Sequence, residues 1–310
     1  MNSIKIKSSI YFILIFNFSC ITSVISQAQT VSQTFDYGLN LMELNRPKEA
    51  IAAFQRVLFF GDEGFQQKVF PNIAKCYFLL EDFSTASRYY DLAYFAATTD
   101  SVKTDFTFKK IESLVREKSF PFAKVELYNL PEELSPVLSN KKSFYSGVIH
   151  YALGEYEESK ASFLNIVPED AKQKAIIESF SKLTKVEKIN PKKARIMSMI
   201  IPGLGQFYAG DVRNGINSLV LNGSFAYLTL QTMFNYSIWD AAISILPWYQ
   251  RYHMGGYNRA EEAAYEKIRR KKAEIFQEII ITVASAQQPM EMTRSNQSST
   301  LNKYARENSN

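Results

Sequence analysis

Cysteine, histidine and tryptophan each occur only twice in 310 residues. Two Cys and two His cannot by themselves supply a four-ligand zinc cage. Cys20 lies in a stretch that reads as a removable leader, which leaves Cys76 alone in the mature chain and excludes an internal disulfide there. Long apolar runs are scarce as well. A mean hydropathy of −0.18 excludes a transporter made mostly of membrane spans. Apolar residues at 46% and charged residues at 22% exclude wholesale disorder. No serine stands in a G-x-S-x-G context, and nothing sits at ligand spacing from His150 or His253. Glu157 and Glu158 read as part of a solvent-facing helix stretch. The sequence therefore offers no catalytic residue, no cofactor-binding residue and no metal ligand, and it does not read as an enzyme. What it has in quantity is 23 Phe and 18 Tyr on a chain long enough for roughly two domains.

Residues 1–28 have the layout of a secretory signal. Lys5 and Lys7 make the positive start, Ile10 to Phe18 the apolar stretch, and Ser26 with Ala28 a cleavage site before Gln29. The apolar stretch falls short of the ~20 residues a span needs. Asn17-Phe18-Ser19 is a poor lipidation box for Cys20. Export into a bacterial envelope is the expectation. Beyond the leader, residues 29–190 hold 20 Lys/Arg against 22 Asp/Glu, and residues 191–310 hold 14 against 9. The whole-chain excess of +5 thus belongs to the C-terminal part, and the shift at Asn190-Pro191-Lys192-Lys193 is the expected domain boundary.

Within 29–190 a pattern recurs. Gly38, Ala74, Ile111 and Gly147 are spaced by 36, 37 and 36 residues. Twelve residues after each come Ala50, Ala86, Ala123 and Ser159, and four further on Phe54, Tyr90, Leu127 and Phe163. Small residues at the first two positions let two helices approach, and the large third residue fills the gap between neighbouring pairs. The turns are expected near Asn45, Glu81, Lys118 and Gly154.

This pattern resembles the tetratricopeptide repeat over four repeats, or about half the chain, with the third repeat (105–136) departing most through Ile111. The resemblance implies an all-α solenoid whose first helices face a protein partner. Transferred onto this chain, the binding positions are Phe35, Leu39, Met42, Lys68, Lys75, Phe78, Asp105, Phe108, Glu112, Phe144, Val148 and Tyr151. Aromatics mixed with both signs of charge suit a peptide and not nucleic acid, which calls for a uniformly basic groove.

Residues 191–258 change character. Their apolar pieces, Ile196–Ala209, Gly215–Phe234 and Ile238–Tyr249, are interrupted by Asn217, Asn222, Gln231 and Asp240. A compact membrane-embedded helical cluster fits these facts better than three separate spans, with Trp248 and Tyr249 as an interface belt. The segment around Pro202, Gly203, Gly205, Gln206, Tyr208 and Gly210 resembles a bacterial membrane module with a PGxGQxYxG signature, distantly like the two-transmembrane-segment family. That resemblance implies location and no chemistry. The glycines read as packing positions, Pro202 as a helix break and Gly210 as a turn. A phosphate loop is excluded because no Lys-Ser/Thr follows and no strand precedes.

From Arg259 to about Ala284 the chain reads as one basic amphipathic helix, to lie on anionic membrane or to pack on the repeats. A tail rich in Ser, Asn and Gln, residues 286–310, is expected to be disordered. The expected function is a non-catalytic envelope scaffold or assembly factor that binds a protein partner while held at a membrane. The alternative is a subunit of an envelope transport or insertion system that uses the apolar module directly.

Overall fold

The computed structural model describes residues 29–307, with side chains through Ala286. The expected signal sequence with Cys20 lies outside the described residues, as do the side chains of the tail. All regular structure among the described residues is helical, as the periodicity predicts. The described residues pack as two units that divide between Glu132 and Glu133. The charge shift at 190 therefore falls inside the second unit. Composition marked a change of charge there, whereas the units divide where few contacts link the chain on either side.

Unit 1 is a run of helices, each packed on the next: α1 (Val31–Glu43), α2 (Pro47–Phe60), a 3-10 turn (Glu63–Phe65), α3 (Gln66–Leu79), α4 (Phe83–Ala96), α5 (Asp100–Arg116) and α6 (Phe120–Tyr128). Thr30 starts α1 with a capping box to Gln33, and the Asp82 side chain accepts from Thr85 N to start α4. The core runs through Leu41, Phe54, Val57 and Ile73, then Ala74, Ala86, Tyr90 and Phe106.

Unit 2 begins with α7 (Pro136–Leu153) and α8 (Tyr156–Leu164), and continues with α9 (Asp170–Glu187), α10 (Pro191–Ile200), α11 (Leu204–Ala209), α12 (Val212–Asn235), α13 (Ile238–Ser244) and the long α14 (Leu246–Glu307). The α14 stripe Ile275, Ile279 and Val283 is buried against Phe163, Ile176, Phe180 and Leu183. That decides the C-terminal helix: its apolar face is spent within unit 2. The helix also starts earlier than expected. It passes through Gly255 and Gly256, and runs on to Glu307 where disorder was expected. Its packing against α9 to α13 fixes one end, and each further residue then costs little to add to an existing helix.

The four predicted turns stand where the repeat spacing put them. Asn45, Glu81, Lys118 and Gly154 all have positive φ, from 56° to 80°. Each closes the same way: Arg46 N donates to Leu41 O, Asp82 N to Tyr77 O, Ser119 N to Leu114 O and Glu155 N to His150 O, at 2.8–3.0 Å. This six-to-one bond satisfies a carbonyl that the helix end would orphan. The twelve repeat positions are buried, and the Phe54 and Phe163 rings lie against Gly38 and Gly147.

Gly154 offers a clean measurement of the turn, because a Cβ there would meet nothing within 4 Å. Gly154→Ala should lower stability by about 1 kcal/mol from left-handed backbone strain alone. Lys118→Gly should raise it by a similar or smaller amount. Urea midpoints for the two variants check this, and shifts in the same direction would refute the turn geometry.

Candidate functional site

The residues expected to face a partner divide by burial. Phe108 is fully buried, and Tyr151 is buried with its hydroxyl donating to Lys272 O at 2.6 Å. Burial, with the neighbouring Tyr156, pushes the Tyr151 phenol well above its usual range. These two are core residues and not contact residues. An aromatic on the first helix satisfies the same 3.6-residue periodicity whether it faces the groove or the next helix. Phe35, Leu39 and Met42 are half-buried on the first core cluster, with Phe35 tilted against Phe54 and Phe65, and Phe144 and Val148 pack on the cluster of unit 2. Lys68, Lys75 and Asp105 are exposed, Asp105 being paired with Lys109 at 2.7 Å.

Three of the expected residues do converge. Lys75 and Phe78 on α3 and Glu112 on α5 line one groove of about 340 Å³, together with Asn72, Tyr90 and Lys109. Burial, followed by the charges of Glu112 and Asp105, pushes the Tyr90 phenol up to about 12, so its hydroxyl stays protonated. The groove brings together two lysines, a carboxylate and two aromatic side chains. Sequence reasoning missed Asn72 and Lys109, since neither falls on a repeat position. Cys76, next to Lys75, is buried, and desolvation pushes its thiol up to about 11. It is a core thiol without nucleophilic character at neutral pH.

The glycine-rich segment forms a fifth hairpin with the same turn. Gly210 has φ 84°, Asp211 N donates to Gln206 O at 2.8 Å, and the Asp211 side chain accepts from Asn214 N. Counting from that turn as in the repeats gives Gly203, Gly215 and Leu219 in the places of Gly38, Ala50 and Phe54. A Cβ on Gly203 would lie 2.4 Å from Gly215 O. Leu219, unlike Phe54, is exposed. The long interval between the fourth and fifth hairpins, filled by α9 and α10, hid this recurrence in the sequence.

Pro202 ends α10 as expected, and α11 restarts after it. Around the join lies a buried polar knot. Ser198 Oγ donates to Gln206 Oε1 at 2.6 Å and accepts from Gly205 N at 2.8 Å, and Gln206 Nε2 donates to Gly256 O at 2.8 Å. The Tyr208 hydroxyl accepts from Asn190 N, and its carbonyl from Lys267 Nζ. Ala194, Ala209, Ala260 and Ala264 let α10, α11 and α14 approach. Pro202, Gly203, Gly205, Gln206 and Tyr208 are thus packing residues of unit 2.

Among the described residues, no helix is long and apolar enough to cross a membrane. The membrane-embedded cluster expected for residues 191–258 therefore has no spanning helix to support it. The 24-residue α12 is long enough but carries Arg213, Asn214, Asn217, Asn222 and Gln231, while α13 has only 7 residues. Yet much of this region's apolar surface is uncovered. Phe234 is 85% exposed, Ile243 77%, Ile200 74% and Trp239 73%, with Tyr227, Tyr236 and Ile238 nearby in the chain. Trp248 is exposed, whereas Tyr249 is half-buried and stacked on His253. No known family, curated protein or solved structure matches the chain.

Proposed function

We propose that this protein is a non-catalytic adaptor of tetratricopeptide-like hairpins, exported into a bacterial envelope. In this reading it holds a peptide segment of a protein partner in the Lys75–Phe78–Glu112 groove. The exposed face of α10, α12 and α13 rests in a membrane interface. The observation that carries the reading is the run of bare bulky apolar side chains from Ile196 to Met254. Single exposed apolar residues are normal, but this many bulky ones left bare on one module, Trp and Tyr among them, call for a cover. A helix that cannot span can still lie in the interface plane with its apolar face in the acyl boundary. Lys192, Lys193 and Arg213 are exposed on the same module and would meet lipid phosphates.

Vesicle flotation tests this. The full chain should rise with phosphatidylcholine vesicles through a density gradient. A variant carrying Phe234→Ser, Trp239→Ser and Ile243→Ser should remain at the bottom with its helical circular dichroism intact. A chain that does not float, or a triple variant that floats equally well, would overturn the membrane reading.

A further inference from the structure

A pocket of about 310 Å³ opens between α12 and α14 in unit 2, with Gln206 of α11 on its wall. Its lining differs from the apolar surface around it. Asn214, Asn217 and Asn222 contribute from α12, and Arg251 and Arg259 from α14. Among the described residues lining it, none is acidic. The carboxylates nearest in sequence are engaged elsewhere: Glu261 pairs with Arg195 at 3.2 Å, Glu262 with Arg269 at 2.9 Å, and Asp211 caps α12, accepting from Asn214 N and Nδ2. Arg251 and Arg259 are exposed, and among the described residues neither forms an ion pair. Every salt-bridged arginine of α14 lies further along, at Arg269 and Arg270. Eight residues separate the two pocket arginines, about 12 Å along a helix, so two long side chains can converge on one group between them.

A second, independent observation points to a ligand. Asn222 is 2% exposed, and its Nδ2 donates to Ser218 O at 2.8 Å, but its Oδ1 has no hydrogen-bond partner. A buried acceptor without a donor is rare and costly, because water has been given up with nothing in exchange. Gln206 beside it is hydrogen-bonded at both ends, and the other buried atom without a partner among the described residues, His253 Nδ1, lies outside the pocket lining. The pocket therefore combines guanidinium donors suited to phosphate oxygens with an amide oxygen that lacks a hydroxyl or amine donor. Gly255 leaves its side open, as a Cβ there would meet nothing within 4 Å.

We infer that this pocket binds a phosphate ester carrying a free hydroxyl, with Arg251 and Arg259 on the phosphate and Asn222 Oδ1 accepting from the hydroxyl. The two sources of such a group are a hydroxyl-bearing lipid headgroup and a soluble sugar or glycerol phosphate. The lipid source rests on the membrane reading above, and the soluble source does not.

The experiment has two arms on the full chain. In the first, flotation is compared for phosphatidylcholine vesicles containing one-quarter phosphatidylglycerol or one-quarter phosphatidylmethanol, which has the same charge but no headgroup donor. The expected result is a preference of at least fivefold for phosphatidylglycerol. It should be lost in Arg251→Gln/Arg259→Gln and in Asn222→Leu, while binding to plain phosphatidylcholine persists. Asn222→Leu removes the orphan acceptor, so its thermal midpoint should not fall, which separates a binding role from a merely structural one. In the second arm, glycerol 3-phosphate is titrated by calorimetry against wild type and the same variants. Binding of the soluble ester without a vesicle preference supports the pocket and assigns it the free source. Floating equally on both anionic vesicles with no heat from the ester leaves general electrostatics as the explanation and overturns the pocket while leaving the membrane reading intact. If neither arm gives binding, both readings fall.

Discussion

Replacing Gly205 with alanine is expected to cost unit 2 more than about 3 kcal/mol, the largest single-methyl effect in the protein. The added carbon would lie 1.9 Å from Ala194 O and 2.7 Å from Ser198 Oγ. A flexible side chain could move aside, but a carbonyl inside α10 cannot shift without disturbing that helix. The same shift would pull Ser198 away from Gln206, leaving a buried amide oxygen without its donor. Gly223→Ala serves as the control, since a Cβ there meets nothing within 4 Å in the same apolar module. It should be neutral or stabilise by up to about 1 kcal/mol through helix propensity. Trp239 and Trp248 both lie in unit 2, so tryptophan fluorescence during urea unfolding reads this unit. A cost under ~1 kcal/mol at Gly205 would mean that α10 and α11 do not meet as described. The position also cannot separate anchor from transport roles by loss of function, because its first duty is packing.

Phe163→Ala and Phe54→Ala are expected to cost about 3–5 kcal/mol each, the range for emptying a fully buried aromatic site. Both side chains are at 0% exposure, and each ring fills the space that the glycine opposite leaves open. The pairing makes a sharper forecast than either site alone. Gly147→Ala would place a carbon 2.6–2.8 Å from the Phe163 ring and should destabilise by roughly 1–3 kcal/mol. Combined with Phe163→Leu, part of that cost should vanish, giving a coupling energy of at least about 1 kcal/mol in a double-mutant cycle. Additive effects would show that the two do not touch. Phe54 belongs to unit 1, so its loss is followed by far-ultraviolet circular dichroism and not by tryptophan fluorescence.

The register of the first four hairpins was legible because it rests on short-range facts. A turn seven residues after a small residue and five before another leaves little freedom in how two adjoining helices meet, and Gly38 against Phe54 is the result. Even the left-handed turns at Asn45, Glu81 and Lys118 could be placed without a glycine to mark them, because the spacing of their neighbours marks them. The fifth hairpin used the same offsets around Gly210 but escaped notice, since α9 and α10 break the period before it.

The burial of the first-helix residues was only half legible. Lys75, Phe78 and Glu112 do share a groove, while Phe108 and Tyr151 are core. A charged residue on a first helix must reach solvent, but an aromatic there can turn either way, and sequence periodicity is the same for both. Likewise Arg259 to Ala284 read correctly as amphipathic, yet only packing against Phe180 and Leu183 decided what its stripe covers. The sequence by itself determined helix content, hairpin spacing and the change of charge near residue 190. Tertiary structure alone decided where the units divide, that Gly255 and Gly256 sit inside a helix, and that Asn222 and two arginines share a pocket. The pocket depends on contacts between α12 and α14, residues some thirty positions apart, and local propensity carries no information about pairs so distant.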